Sequence, residues 1–196
     1  DHGILGEEFE AARDDAIDRV MTCDPGHLIV GMSTETTWDG LEGGEKLYQH
    51  IKDRAGVEVT MASDAVVEAL KVKGGIKRIG VVSPYQRAGD ENVVRFFSAN
   101  GFEVTAIKGL RCESPVLIAH VSEGQLRDAI LEVDSANVDA IVQVGTNLAM
   151  ARLAGIAENW LRKPVIAVNT ATYWRALRSN GIDNKVEGWG SLLSVH

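Results

Sequence analysis

Short apolar runs alternate with amphipathic stretches along the whole chain. The runs at 27–32, 57–61, 78–83, 102–107, 140–144 and 164–168 read as apolar on both faces, the pattern of strands buried in parallel sheets. Between and around them, helical spacing of apolar residues covers 6–21, 43–54, 64–73, 89–100, 123–135, 147–161 and 171–179. Ser63 and Ser122 stand where N-caps belong, and Gly74-Gly75, Gly101 and Gly181 where helices end. Strand and helix in alternation predict an α/β fold with parallel sheets. Right-handed crossovers gather the strand C-termini on one side, where ligands bind. The loops after Met32, Ser83, Val144 and Val168 emerge there.

The chain also repeats its own plan. The segment 27–36 matches 139–148, pairing Ser33 with Gly145, Thr34 with Thr146 and Glu35 with Asn147. The segment 59–63 matches 166–170 in the same way, each leading into a helix. A restart at Arg78 after Gly74-Gly75 divides the chain into two pseudo-symmetric halves, 1–76 and 77–196, with the last long helix expected to pack back on the first. The first half opens on a helix, so its N-terminal strand is expected upstream of Asp1. A duplicated plan usually holds its ligand between the copies.

Composition narrows the classes. A chain of 196 residues with 45% hydrophobic and 24% charged content suits a globular protein. A net charge of −8 argues against nucleic acid as partner, and no apolar run approaches the ~20 residues that cross a bilayer. Cys23 and Cys112 are isolated thiols, which points to a reducing, cytoplasmic location. No nucleotide-binding glycine motif and no metal-ligand spacing is present: Asp39, Asp90 and Glu91 read as surface caps, and His27, His50, His120 and His196 are unrelated in spacing.

The matched loops carry the candidate chemistry. Ser33-Thr34-Glu35 and Gly145-Thr146-Asn147 offer hydroxyls and backbone N–H groups to an oxyanion, or simply cap helices. Ser83-Pro84-Tyr85 adds a phenol at a strand end, able to donate to the same oxyanion or to rest half-buried.

Those residues carry a resemblance. Gly-Met-Ser-Thr at 31–34, Arg-Ile-Gly-Val-Val-Ser-Pro-Tyr at 78–85, Asp-Ala-Ile-Val-Gln-Val-Gly-Thr-Asn at 139–147, Lys-Pro-Val at 163–165, Tyr-Trp-Arg-Ala-Leu at 173–177 and Gly-Trp-Gly at 188–190 follow in order. From about His27 to Leu193 the chain resembles the arylmalonate decarboxylase and maleate isomerase group of the aspartate/glutamate racemase superfamily. The resemblance implies two flavodoxin-like halves, no metal or organic cofactor, and a small carboxylate substrate held in the cleft between them through an enediolate-like intermediate. It implies catalytic positions at Ser33, Tyr85 and Gly145, and substrate contacts from Thr34, Glu35, Ser83, Cys112, Pro115, Ile118, Thr146 and Asn147. Pro115 and Ile118 would line an apolar pocket, and Cys112 would reach the cleft from the 109–116 loop. The chain departs from the family at the two cysteine positions, which carry Ser33 and Gly145. Two-base racemisation and thiol addition to a double bond are therefore disfavoured. An altered lyase or isomerase reaction and a non-catalytic carboxylate-binding protein both stay open, as does a homo-oligomer or partner subunit joined through Trp38, Trp160 and Trp174.

Overall fold

The computed structural model describes residues 2–31 and 40–196, with side chains from position 8 onward except that of Phe9. The described elements run α1 (His2–Met21), β1 (His27–Val30), α2 (Gly40–Ala55), β2 (Glu58–Met61), α3 (Ala62–Lys73), β3 (Arg78–Ser83), α4 (Arg87–Ala99), β4 (Glu103–Gly109), α5 (Pro115–Ile118), α6 (Glu123–Val133), β5 (Ala140–Gln143), α7 (Ala151–Leu161), β6 (Val165–Ala167), α8 (Val168–Ser179) and α9 (Ser191–Val195). All strand pairs are parallel. β1 pairs with β2, and a four-stranded sheet has the order β4-β3-β5-β6. This is the α/β architecture that the alternating pattern predicts. No described helix is long and apolar enough to cross a membrane.

Two apolar layers cover the larger sheet. Alternate residues of β5 enter opposite ones: Ala140 and Val142 join Val81, Phe96 and Phe97, whereas Ile141 joins Val82, Leu126 and Ile130. A third cluster lies under α1 and α2 and contains Leu28, Ile51, Val59 and Met61. Helix α8 packs against α3 and β2, and Arg175 on α8 pairs with Glu68 on α3. The C-terminal turn adds a tie. Lys73 Nζ donates to Ser191 Oγ at 2.5 Å, and Glu158 accepts from Ser191 N at 2.6 Å.

Several elements differ from the sequence reading. Ser63 is not an N-cap: α3 begins at Ala62, straight from β2, with no side-chain cap. Helix α8 likewise begins at Val168 directly after β6, three residues before the predicted start. Both copies of the repeat thus pass from strand to helix without a loop. Helix α7 begins at Ala151 rather than 147, because residues 145–150 are spent on a turn in which Leu148 N donates to Gly145 O at 3.1 Å. Nor is every strand buried on both faces. Ile29 is 49% exposed, and β4 is an edge strand with an incompletely buried face. Trp174 is buried, so it does not serve a subunit surface. Ser122 behaves as read, capping α6 in a full capping box with Gln125.

Asp139 pins the entrance of the sheet. Its Oδ2 accepts from the backbone N–H of Arg78 at 2.8 Å and of Lys77 at 3.1 Å, and its Oδ1 from Arg78 Nη2 at 2.9 Å. The Arg78 guanidinium and these two N–H groups hold the carboxyl well below the usual carboxylate range. The folded state therefore releases this proton at a pH where the unfolded chain still holds it. The stabilisation is complete above about pH 4 and is lost as pH falls below that. Asp139→Asn is expected to lower the melting temperature at neutral pH, with the gap from wild type closing on acidification. Melts followed by circular dichroism across pH check this, and a gap independent of pH would contradict it.

Candidate functional site

The ladder between β3 and β5 brings two loop tips together. Val82 pairs with Gln143, and Val144 N donates to Val82 O at 3.0 Å. The chain therefore leaves the sheet side by side at Ser83-Pro84-Tyr85 and Val144-Gly145-Thr146. Ser83 is fully buried, and its Oγ accepts the Tyr85 N–H at 3.0 Å. Its hydroxyl oxygen thus shapes the turn that carries Tyr85.

Gly145 has φ +89°, in the region that favours glycine. A side-chain carbon there would overlap Pro84 Cγ, lie 2.7 Å from Pro84 Cδ and lie 3.6 Å from the Tyr85 hydroxyl. The Pro84 ring thus occupies the space a side chain would need, and the phenol stands beside the bare backbone. Gln143, buried among apolar neighbours, holds the turn by donating through Nε2 to Val144 O at 2.6 Å and Gly145 O at 2.8 Å. Asn169 Nδ2 takes the Thr146 carbonyl at 2.9 Å, and Asn147 Nδ2 donates to Pro115 O at 3.1 Å.

A small hollow opens beside these tips. Its walls are Ala62, Ser63 and Val66 from α3, Val93, Phe96 and Phe97 from α4, and Tyr85, Val144 and Val168. Among the described residues, Ser63 and Tyr85 are its polar side chains and no cation lines it. Two helices start close by, α3 at Ala62 and α8 at Val168, neither with a side-chain cap. The first N–H groups of a helix have no partner within it and favour negative oxygen. Thr170, in the first turn of α8, is buried with its hydroxyl unpartnered. Neutral donors in an apolar wall suit a carboxylate or an enediolate oxygen.

Of the other sequence candidates, Ser33, Thr34 and Glu35, with Trp38 and Asp39, lie outside the described residues. Ile118 packs on the cluster containing Val82 and Leu126, across the sheet from the hollow, and Pro115 is exposed; neither lines it. Cys112 is absent from the walls too. Its N–H donates to Pro84 O at 3.0 Å, and burial pushes its thiol up, so the thiol stays protonated near neutral pH. Among the described residues no group of three or more His, Cys, Asp or Glu could hold a metal ion. Sequence reasoning missed Gln143, Phe96 and Phe97 as parts of the site. A single amide inside the run Ile-Val-Gln-Val was the available signal for Gln143; the two phenylalanines look like any helix core.

Comparisons with known proteins agree with this fold. The family model for arylmalonate decarboxylase matches residues 20–193. A maleate isomerase of Pseudomonas putida is 31% identical over 138 residues, 69% of this chain and 54% of that protein. A maleate isomerase of Alcaligenes faecalis is 25% identical over 76% of this chain and 59% of that protein. The chain thus spans about half the length of the curated relatives it matches. Among solved structures, a Nocardia farcinica maleate cis-trans isomerase with a covalently bound succinylcysteine intermediate superposes with a TM-score of 0.89 at 22% identity, covering 95% of this chain and 78% of that one. An arylmalonate decarboxylase superposes at 0.83 and 21% identity, covering 94% and 83%.

Gly145→Cys is expected to destabilise the fold by about 1–3 kcal/mol, since it combines a left-handed non-glycine backbone with a displaced Pro84 ring. Chemical denaturation measures this, and wild-type stability would show that the turn yields freely.

Proposed function

The chain belongs to the arylmalonate decarboxylase family, and on that premise we propose that it is a cofactor-independent enzyme converting a small carboxylic acid of malonate or maleate type through an enediolate-like intermediate. The observation that carries this reading is the Tyr85 hydroxyl beside the bare backbone of Gly145, at the edge of an apolar hollow.

For a malonate the steps balance without a cofactor. The bond from the central carbon to one carboxylate breaks, CO2 leaves, and the electron pair spreads into the remaining carboxylate as an enediolate. Tyr85, Thr146 and the free N–H groups near these tips donate to its oxygens, where donors fixed in advance contribute most to the rate. The departing carboxylate loses its charge as it becomes CO2, so the walls of Val144, Val168 and Phe97 favour the product side. A proton is then delivered to carbon from one face. Ser33 is the proposed donor, its hydroxyl regaining a proton from water.

Maleate isomerisation through a cysteine adduct fits less well. The Nocardia farcinica structure carries a succinylcysteine, whereas by the resemblance this chain carries Gly145 and Ser33 at the two family cysteine positions, and burial raises the Cys112 thiol so that it keeps its proton near neutral pH. The same missing thiols favour a second reading, a protein that binds a small carboxylate and leaves it unchanged.

A panel of substituted malonates and maleate separates these readings, with thermal shift for binding, CO2 release for decarboxylation and proton NMR for isomerisation. CO2 release is expected, and Tyr85→Phe is expected to lower kcat/KM by about 10²–10³-fold. Binding without turnover would support the second reading, and no thermal shift with any of these acids would remove both.

A further inference from the structure

The loop after β4 is not used by the reaction as proposed, yet it grips the Tyr85 loop at every residue. Three successive carbonyls are taken: Leu110 N donates to Ser83 O at 2.7 Å, Cys112 N to Pro84 O at 3.0 Å, and Arg111 Nη1 to Tyr85 O at 2.7 Å. Gln86 Nε2 returns a bond to Cys112 O at 2.9 Å. Arg111 Nη1 also pairs with Asp90 Oδ2. Asp90 is 4% exposed and sits in the first turn of α4, so one guanidinium joins the Tyr85 backbone to a buried carboxylate.

Two glycines make room for this arrangement. A side-chain carbon at Gly109 would overlap Arg111 Nη1 and Asp90 Oδ2 and lie 2.6 Å from Arg111 Cζ. One at Gly89 would lie 2.6 Å from Tyr85 Cβ and 3.1 Å from its Cγ. The Tyr85 side chain therefore leans on the same helical turn that carries Asp90. Its hydroxyl lies at the far end of the ring, where a small tilt of the backbone is amplified. A misplacement of about 1 Å at a reacting group costs on the order of 10²-fold in rate.

Resting on the reading of Tyr85 above, we propose that Asp90 and Arg111 are positioning residues that hold the Tyr85 hydroxyl at Gly145. The pair acts through the residue 85 carbonyl and touches no substrate. Arg111 is half in solvent, with its side chain 45% exposed, so removing it changes the phenol more than it changes the core.

The test uses the whole chain labelled with 3-fluorotyrosine and read by fluorine NMR. There are three tyrosines, and Tyr85→Phe identifies the resonance of interest. Arg111→Met is expected to shift or split the Tyr85 signal while leaving those of Tyr48 and Tyr173 in place, with Arg111→Lys returning it toward wild type. With a turned-over acid, kcat is expected to fall about tenfold or more at nearly unchanged KM. Gly109→Ala displaces the same guanidinium without removing its charge and should move the same signal, which covers the case where Arg111→Met does not fold. An unmoved Tyr85 resonance in a folded variant would overturn the proposal. A moved resonance in a protein inactive on every acid would instead count against the enzymatic reading and leave the positioning role standing.

Discussion

The parallel ladder between β3 and β5 is the constraint on which the site depends. β3 is the inner strand beside which both β4 and β5 align, and Ile79, Val81 and Val82 are fully buried. A slip of one residue would exchange the faces of Val81 and Val82 and send each into the wrong apolar layer. The ladder is held at both ends, by the Asp139 carboxylate at its entrance and by Val144 N on Val82 O at its exit. With the register fixed, Pro84 lies over Gly145, and the phenol of Tyr85 has one place to be. The geometry of these loop tips is thus a consequence of the hydrophobic packing beneath them.

What could be read from the sequence, and what could not, follows the range of the forces involved. Strand and helix order is a local matter of periodicity, and 78–83 was legible because its run is apolar and ends abruptly at Pro84. The capping box at Ser122 is equally local. Ser63 misled because a hydroxyl residue after a strand looks like a cap whichever residue starts the helix, and the direct strand-to-helix junction leaves no mark. The start of α7 was read too early because Leu148 and Met150 are buried and continue its apolar spacing, although the turn at Gly145 consumes them. Edge exposure at Ile29 depends on what pairs with β1, which no periodicity encodes. That the Gly145 and Tyr85 loops emerge on one side followed from the alternation of strand and helix, whereas the Asp90–Arg111 pair spans 21 positions with no pattern to announce it.

The hollow differs from a charged anion pocket in a way that bears on its chemistry. A cation beside the substrate would stabilise a malonate dianion as strongly as anything that follows, and binding that is equal in ground and transition states does not raise kcat. Among the described residues the side-chain donors are the Tyr85 phenol and the Ser63 hydroxyl, surrounded by Val, Ala and Phe. Such donors gain strength where charge becomes localised on one oxygen pair, as it would in the proposed loss of CO2 from a malonate. An apolar wall gives little welcome to the carboxylate that departs and none of its cost to the neutral gas. Under the proposed reaction the arrangement favours loss of charge at one end of the ligand and retention at the other.

The glycine at position 145 and the place of the phenol are one fact rather than two. A thiol at that position needs a β-carbon, and the β-carbon needs the space filled by the Pro84 ring. Pro84 cannot withdraw alone, because its carbonyl is bonded to Cys112 N, the next carbonyl to Arg111, and Arg111 to the buried Asp90. Making room for sulfur would thus draw on the whole connection back to α4 and carry the Tyr85 hydroxyl away from the site. In this chain the described loops set a phenol where a thiol would need space, and the reaction proposed for them runs on hydrogen bonds to oxygen rather than on a covalent bond to sulfur.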